Sequence, residues 1–427
     1  MHRLSHALYN WLVWMAQPLL RRKLARRALA EPGYAVAVPE RFGRYSLPPQ
    51  PRSELVWVHA VSLGETRAAG ILLQALRELL PDVRIVLTHG TATGRAEGAR
   101  LLRPGDVQVW QPWDTPAAVQ AFLRHFRPRI GLLMETEVWP NLVLQSARLG
   151  VPLALVNARM SEKSLRSALR WPSLMRPTYG ALRAVWPQTE ADAQRLRTLG
   201  APVEAVSGNI KFDVQPDARQ LQQGQAWRQA LQRPVCLLAS SREGEEALWL
   251  AAVQAQQRAS APVHWLIVPR HPQRVDEVEA LLRNAGLSVW RRSRWHDESG
   301  PAPGADAQVW LGDSLGEMAL YYSLADVALL GGSFAPLGGQ NLIEAAACGC
   351  PVVMGPHTFN FEEAAAQAQT AGAACRVTDM AAAVLLAEAM ALDAAQRQTL
   401  SAAGHGFLHA HQGAARRVAG RIRDWLV

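Results

Sequence analysis

Three glutamates follow apolar runs in the first half of the chain, where strands of a parallel sheet would end. Glu65 follows the run at 55–64, and Glu135 and Glu137 follow the run at 130–134. Side chains at the carboxyl ends of parallel strands line the crevice in which such sheets bind ligands. A carboxylate there can face a ligand without being sealed in the core, although glutamates at helix starts also serve only as caps. The pattern predicts an acidic rim, with capping as the alternative.

The second half contains a glycine-rich stretch that is typical of an anion-binding loop. The apolar run at 327–330 ends at Gly331 and Gly332, and a helix opening near Asn341 would direct bare N–H groups at a ligand. A phosphate is the predicted occupant. Glu344, in the first turn of that helix, could grip the vicinal hydroxyls of a ribose. The alternatives are a capping glutamate and a glycine turn without a ligand.

Basic side chains follow another predicted strand of the same half. The run at 265–268 leads to Arg270, His271 and Arg274. Guanidinium groups at a sheet edge suit a phosphate or a carboxylate, and the alternative is ordinary surface charge. Further along the chain, Gly312 and Ser314 precede a helix that is predicted to begin near Leu315.

Lysine is scarce in this chain, which makes each lysine a candidate for a specific role. Of 45 basic residues only Lys23, Lys163 and Lys211 are lysines. Lys211 lies in a loop after a strand predicted over 203–207.

Composition restricts the class of protein. The chain has 427 residues, a net charge of +9 and four cysteines. That length predicts two or three domains, and the charge implies an acidic partner such as nucleic acid, an anionic membrane or a charged substrate. The cysteines form neither a C-x-x-C pair nor a disulfide framework, and no H-E-x-x-H occurs, so reduced thiols and no metal site are expected. No nucleic-acid reader motif is recognisable.

Residues 1–30 resemble a membrane contact. Apolar residues at helical spacing precede the basic run at 21–27; they are Leu4, Leu8, Trp11, Leu12, Met15 and Leu19. The apolar part is shorter than the roughly 20 residues that a spanning helix needs. We therefore expect a helix lying in the interface, with the rest of the chain on the cytoplasmic side. A core helix with a solvated basic edge is the alternative.

The elements that position these residues alternate between strand and helix. This alternation predicts an α/β protein with two Rossmann-like domains facing across a cleft. We expect a membrane-associating segment over 1–30, an amino-terminal domain over 31–214 and a carboxy-terminal domain over 215–427. The polar stretch 214–225 is the predicted linker. An amphipathic helix after Gly413 is included in the carboxy-terminal domain, although its apolar face could pack against either domain.

The residues resemble the bacterial transferases that attach 3-deoxy-D-manno-octulosonic acid (Kdo) to the lipid A precursor, which have the two-domain GT-B fold. The similarity covers nearly the whole chain and rests on these stretches in order: VSLGET from Val61, METEVWPNL from Met134, NARMS from Asn157, GNIKFD from Gly208, PRHPQR from Pro269, GDSLGE from Gly312, GGSFAPLGGQNLIEAAA from Gly331 and MGPHTFNF from Met354.

The resemblance implies an inverting transfer of Kdo from CMP-Kdo to lipid IVA at the cytoplasmic side of the inner membrane, with no cofactor and no metal. Glu65 matches the catalytic base, and Glu135, Glu137 and Lys211 match the acceptor side. The residues that correspond to the donor site are Arg242, Arg270, His271, Gly312, Ser314, Gly332, Gln340, Asn341 and Glu344.

Two departures from the family pattern fall in that donor set. Many members of the family that the chain resembles have Ser-Thr-His where this chain has Ser240, Ser241 and Arg242, and a histidine where it has Gln340. An arginine still suits an anionic donor, and an amide can still hydrogen-bond. The alternative functions are another GT-B enzyme such as a nucleotide-sugar 2-epimerase, and a non-catalytic membrane-bound sugar-binding protein.

Overall fold

A computed structural model describes residues 2–49, 55–256, 262–295, 300 and 306–426. Met1 and the side chains of His2 and Arg3, which belong to the predicted membrane segment, lie outside the described part. The chain forms two compact units, one of residues 1–213 with 412–427 and one of residues 214–411. Each unit has its own parallel sheet, which confirms the predicted class of two parallel α/β domains.

Unit 1 contains a parallel sheet of six strands in the order β3-β2-β1-β4-β5-β6. Its strands are β1 (Leu55–His59), β2 (Arg84–His89), β3 (Val107–Trp110), β4 (Ile130–Met134), β5 (Leu153–Ala158) and β6 (Ala184–Pro187). Its helices are α1 (His2–Ala30), α2 (Leu63–Leu79), α3 (Ala92–Ala99), α4 (Pro116–Phe126), α5 (Pro140–Arg148), α6 (Glu162–Ala168), α7 (Pro172–Gly180), α8 (Glu190–Thr198) and, from the end of the chain, α17 (Ala414–Leu426).

Unit 2 contains a parallel sheet of seven strands in the order β13-β12-β11-β7-β8-β10-β9. Its strands are β7 (Val235–Ser241), β8 (His264–Pro269), β9 (Val289–Arg291), β10 (Val309–Leu311), β11 (Val327–Leu330), β12 (Val352–Met354) and β13 (Ala374–Arg376). Its helices are α9 (Ala218–Ala230), α10 (Glu245–Ala255), α11 (Val275–Asn284), α12 (Met318–Leu324), α13 (Leu342–Ala347), α14 (Glu362–Thr370), α15 (Met380–Leu392) and α16 (Ala394–His411).

Local sequence explains where the site-bearing elements begin and end. Strands β1, β4 and β11 are buried along their whole length and are apolar except for His59 at the end of β1, as expected for parallel strands covered on both faces. Helix α2 begins where Ser62 accepts the N–H of Glu65, and α13 begins where Asn341 accepts the N–H of Ile343. These polar caps end each loop at a defined residue, so the following side chains have fixed directions.

Two expectations about local structure are wrong. Residues 203–207 run beside the edge strand β6 but form only a single bridge with it, between Val203 and Val185, so they do not extend the sheet as a strand. Most of the predicted linker is helix α9, which begins at the N-cap Asp217 and packs on α12. A Cβ on Gly224 would lie 2.6 Å from the carbonyl oxygen of Leu320, so the glycine allows the two helix backbones to approach closely. Because the contact is made at a glycine, the sequence of α9 lacks the apolar periodicity by which a packed helix is usually predicted.

The final helix corrects the predicted domain boundary. Helix α17 was assigned to the carboxy-terminal domain, but it packs on α2 in unit 1. Val418 and Ile422 are fully buried in the core cluster of that unit, and Trp425 packs against Trp186 with ring centroids 5.3 Å apart. An amphipathic pattern shows that a helix has a buried face but does not identify the sheet that covers it.

Helix α1 docks on unit 1 through polar side chains. Tyr9 donates to Asp114 at 2.7 Å, and a ring nitrogen of His6 lies 2.9 Å from Asn141 Oδ1. Many of its large apolar side chains are exposed, among them Trp11 and Trp14. Within the described residues, we find no helix with the length and apolarity that a membrane span requires.

Candidate functional site

In the sheet of unit 1, the strands that follow β1 in the chain are added on one side of it up to β3, and the chain then crosses to the other side at β4. Chain connections from the neighbouring strands β1 and β4 run in opposite directions along the sheet, which leaves a crevice at their carboxyl ends. Glu65 lies in the first turn of the helix after β1, and Glu135 and Glu137 lie directly after β4. The predicted acidic rim therefore flanks the position where an open α/β sheet binds its ligand.

Glu65 combines a capping geometry with a carboxylate that is easily protonated. The Val61 N–H donates to its Oε2 at 2.7 Å, and the Ser62 hydroxyl donates to its Oε1 at 3.0 Å. Burial, and then the charge of Glu137, raises the pKa of Glu65 to about 7, although these two hydrogen bonds act in the opposite direction. Glu65 thus caps the turn before α2 and also titrates near neutral pH.

Glu135 forms the ionic part of this rim. The Nζ of Lys211 lies 2.7 Å from its Oε1, and a guanidinium nitrogen of Arg159 lies 3.9 Å from its Oε2. Its backbone has φ 54°, as does that of Asn157 at the end of the neighbouring β5. Non-glycine residues in this region carry a cost of order 1–3 kcal/mol and concentrate at functional sites. The strain supports a functional interpretation of this loop.

Glu137 lies beside the other two carboxylates. Trp139 Nε1 donates to its Oε2 at 2.8 Å. Burial, together with the charge of Glu135, raises the pKa of Glu137 in spite of that bond. Unit 1 thus joins all four predicted side chains, Glu65, Glu135, Glu137 and Lys211, in one electrostatic cluster. An arrangement in which one carboxylate is ion-paired and another is neutral or poised near pH 7 can accept a proton and hold a polar ligand.

Unit 2 has an equivalent reversal between β7 and β11. The N–H of Gly331 donates to the Ala239 carbonyl at 2.9 Å, so the glycine loop after β11 lies against the end of β7. Gly332 adopts φ 73° and faces Gln340, whose Nε2 would lie 3.1 Å from an added Cβ. The glycine is required there because an L residue would be strained and crowded. Its N–H, however, donates to Glu245 Oε2 at 2.7 Å.

A basic cluster lies at the ends of β7 and β8. Burial, followed by the charges of Arg242 and Arg270, lowers the pKa of His271. Arg270 Nε donates to Gln340 Oε1 at 3.2 Å, so Gln340 fixes one of these guanidinium groups. The two departures from the family pattern, Arg242 and Gln340, therefore lie in the same cluster. Such a group of cations can bind a phosphate or a carboxylate.

The remaining predicted donor residues lie on the flanking loops. Gly312 follows β10, and its N–H donates to the Ile267 carbonyl at 2.8 Å. The Ser314 hydroxyl contacts Glu317 and Tyr321, and the helix after it begins at Met318, three residues later than predicted.

The predicted helix start after the glycine loop is confirmed. Asn341 caps α13 through the Ile343 N–H at 3.1 Å, and its Nδ2 donates to Glu344 Oε1 at 3.2 Å. Glu344 lies in the first turn of that helix, as expected. Asn341 and Glu344 therefore act as a pair, and their side-chain oxygens are both oriented by local hydrogen bonds.

Sequence reasoning missed two glutamates of unit 2. Glu245 accepts several N–H groups of the glycine loop, and Glu246 forms a two-bond ion pair with Arg274 at 2.9 and 3.0 Å. Arg274 is therefore a structural residue, as its alternative interpretation allowed. The available signal was the Gly-Glu-Glu sequence at a helix start after β7, one strand from the glycine loop. Among the described residues, no group of three or more histidine, cysteine or acidic side chains could hold a metal ion.

Comparisons with known proteins agree with these motifs. A family model described as 3-deoxy-D-manno-octulosonic-acid transferase (kdotransferase) matches residues 37–214. The chain is 49% identical over 419 residues to a 3-deoxy-D-manno-octulosonic acid transferase of Bordetella pertussis, with 96% of each chain covered. It is 30% identical over 425 residues to the enzyme of that name from Haemophilus influenzae, with 98% of each covered.

A solved structure supports the fold. A glycosyltransferase from Rickettsia africae superimposes with a TM-score of 0.56 at 12% identity, covering 87% of this chain and 97% of that one. At this identity the similarity concerns the fold alone, and it agrees with the predicted GT-B class. Because the sequence similarity to the curated relatives extends over almost the whole chain, this protein belongs to the 3-deoxy-D-manno-octulosonic acid transferases, a family of glycosyltransferases.

Proposed function

We propose that this enzyme transfers Kdo from CMP-Kdo to the lipid A precursor lipid IVA with inversion at the anomeric carbon. The observation that carries the proposal is the position and the pKa of Glu65. Its carboxylate lies beside the crevice between β1 and β4, and burial together with the charge of Glu137 raises its pKa to about 7. A general base is most effective when its pKa lies near the working pH. Glu65 meets that condition, and an ordinary surface glutamate does not.

The chemistry is a single displacement. An acceptor hydroxyl oxygen attacks the anomeric carbon of Kdo, the bond from that carbon to the phosphate oxygen breaks, and CMP leaves with the electron pair. Glu65 takes the hydroxyl proton as the new bond forms. One displacement at the anomeric carbon inverts its configuration. Lys211 and Arg159, which surround Glu135, supply positive charge for the anionic groups of a phosphorylated acceptor.

The donor is assigned to unit 2. Arg242, Arg270 and His271 form the basic cluster that would bind the phosphate and the Kdo carboxylate, with Gln340 holding Arg270. Glu344, oriented by Asn341, would accept hydrogen bonds from the ribose. The loop residues Gly312, Ser314 and Gly332 complete the donor set, in which Gly332 contributes the shape of its loop because its N–H donates to Glu245.

The membrane assignment rests on helix α1. Its polar side chains, including His6 and Tyr9, face unit 1, whereas Trp11, Trp14 and Leu19 are exposed. A helix of a soluble protein usually has the opposite orientation, with apolar residues inside. The basic run at 21–27 adds attraction to anionic lipid. The proposal is therefore a helix that lies in the cytoplasmic surface of the inner membrane.

The test is the substitution Glu65→Gln, which keeps the shape of the side chain and removes its basicity. Single-turnover transfer from CMP-Kdo to lipid IVA should slow by about 10²- to 10⁴-fold, because the proton acceptor is lost. Glu78→Gln is a matched control, since Glu78 is an exposed glutamate on the same helix. It should retain the parent rate.

Thermal melts and mass spectrometry of the lipid product complete the experiment. A Glu65→Gln rate within threefold of the parent would remove Glu65 from the chemistry. A collapsed melt would instead show that its hydrogen bonds to Val61 and Ser62 serve stability. A parent enzyme that transfers Kdo to other acceptors but not to lipid IVA would refute the acceptor assignment.

A further inference from the structure

Glu245 is a buried glutamate that occupies the N–H groups of the glycine loop after β11. Its side chain has no exposed surface. Its Oε2 accepts the N–H of Gly332 at 2.7 Å and of Arg242 at 2.9 Å. Its Oε1 accepts the N–H of Phe334 at 3.0 Å and of Ala335 at 3.4 Å. One carboxylate therefore receives four main-chain hydrogen bonds.

Converging main-chain N–H groups of this kind form an anion-binding site. In this protein the anion that they bind is internal, because Glu245 fills the position that a ligand phosphate would take. Charge-assisted bonds from these N–H groups reduce the cost of burying the carboxylate, although burial is the larger effect and still raises the pKa of Glu245 above its ordinary value. A phosphate could reach the N–H of Gly332 only by displacing a fully buried side chain of the protein.

Glu245 also connects the two parts of the proposed donor site. The Arg242 N–H belongs to the end of β7, which carries the basic cluster, whereas Gly332 and Phe334 belong to the loop after β11. The same loop is closed by a bond from the Gly339 N–H to the Gly332 carbonyl at 2.7 Å, next to Gln340. Glu245 thus sets the distance between the arginines and the glycine loop.

We propose that Glu245 is a positioning residue of the donor site, and that it reserves the anionic groups of the donor for Arg242, Arg270 and His271 instead of the loop N–H groups. This inference rests on the proposed assignment of the donor to unit 2. Glu245 acts through the segments that it ties together and does not itself contact the donor.

The experiment titrates CMP and inorganic phosphate against the full-length parent, Glu245→Gln, Glu245→Asp and Glu362→Gln. Glu245→Gln should weaken CMP binding by about tenfold or more, because an amide presents its own N–H groups to two of the four donors. Glu245→Asp keeps the charge and should recover part of the affinity. Glu362 is an exposed glutamate in the first turn of α14, so Glu362→Gln removes the same charge from a helix start and should bind CMP as the parent does.

Steady-state kinetics separate positioning from general stability. For Glu245→Asp the KM for CMP-Kdo should rise while the KM for the lipid acceptor and the melting temperature stay near the parent values. This variant decides the question if Glu245→Gln fails to fold. Equal increases of both KM values would refute the positioning role.

Two other results would overturn the inference. Unchanged CMP affinity in Glu245→Gln would show that the loop needs no carboxylate. Tighter binding of phosphate by that variant would show that the loop N–H groups are the phosphate site and that Glu245 competes for them. A parent protein that binds no CMP would instead refute the donor assignment of the proposed function, which distinguishes the two failures.

Discussion

Glu65 combines a capping role with the features that the proposed catalytic base requires. Its carboxylate accepts the Val61 N–H and the Ser62 hydroxyl, a variation of the capping box in which the N–H comes from the residue before the N-cap, and these bonds orient it at the crevice. Burial and the charge of Glu137 outweigh those bonds and raise the pKa to about 7. The local bonds therefore fix the position of the base, and its environment sets its basicity.

The raised pKa predicts the pH dependence of the reaction. Below about pH 7 Glu65 is protonated, so kcat/KM should fall by about tenfold per pH unit as the pH decreases. In Glu137→Gln that acidic limb should move to lower pH, because a neighbouring negative charge is removed. It should stay above the range of an ordinary glutamate, because burial is the larger cause. The measurement is kcat/KM against pH for the parent and for both variants at positions 65 and 137.

The same shift affects stability with a defined sign. Between the ordinary glutamate pKa and about 7, the folded state binds the Glu65 proton and the unfolded chain does not. The contribution of Glu65 to the free energy of unfolding therefore falls as the pH rises through this window.

The kinetic prediction can also fail. If the fall of kcat/KM at low pH persists in Glu65→Gln, or does not move in Glu137→Gln, the titration belongs to another group. Glu78→Gln is again the control.

At the scale of the element, helix α1 is attached to unit 1 by its polar side. Asp114 accepts a hydrogen bond from the Tyr9 hydroxyl, and it also accepts the N–H groups of Asn141 and Leu142 at 3.0 and 2.7 Å. The same carboxylate therefore caps α5 and connects α1 to it. Helix α5 follows the loop that carries Glu137 and Trp139. Truncation of residues 1–27 would therefore disturb unit 1 as well as remove the proposed membrane contact, and point variants are the better experiment.

Replacing Trp11 and Trp14 together by serine should weaken binding to anionic vesicles by about tenfold or more, because large aromatic surfaces would no longer be buried in lipid. These side chains are 55% and 63% exposed, so folding and CMP affinity should be unchanged. Vesicle sedimentation at low and high salt gives the measurement. Leu385→Ser, at a residue 53% exposed in unit 2, is the control. Equal sedimentation of the double variant and the parent would refute the membrane role of α1.

At the scale of the whole molecule, the chain leaves unit 1 after Asp213 and returns to it at Gln412. Asp213 receives the N–H groups of Gly413 and Ala415, the second at 2.6 Å, so the exit and the return of the chain are fastened together. Helix α17 then packs on α2, the helix that carries Glu65. The last residues of the chain thus support the proposed base.

Ile422→Ala should destabilise unit 1 by about 2–5 kcal/mol, because it leaves a cavity in a fully buried position of the core. Since the protein has two units, a single melting temperature is not sufficient, and hydrogen exchange measured by mass spectrometry is the better probe. Exchange should rise in α2 and β1 and stay constant in α15 and α16. Leu29→Ala, at a residue 87% exposed, should change neither. Faster exchange confined to unit 2 would contradict the observed packing.

The sequence by itself determined the strands that precede the candidate site residues, the glycine loop and the acidic and basic residues at those strand ends. The runs at 130–134 and 327–330 are apolar throughout and are followed by Glu135 and Gly331, and the structure ends β4 at Met134 and β11 at Leu330. Such features were predictable because burial on both faces and tight turns depend on residues close together in the chain. The motifs that identified the family are likewise short stretches of neighbouring residues, and their order can be followed along the sequence.

Only the tertiary structure decided which groups meet across the chain. Glu245 and Gly332 are separated by 87 residues, and nothing in either local sequence shows that a carboxylate fills the glycine loop. The return of α17 to unit 1 and the effect of Glu137 on the pKa of Glu65 likewise depend on which strands become neighbours. The physical reason is that an amphipathic face or a strand-end carboxylate has many possible partners, and packing of the complete chain selects one.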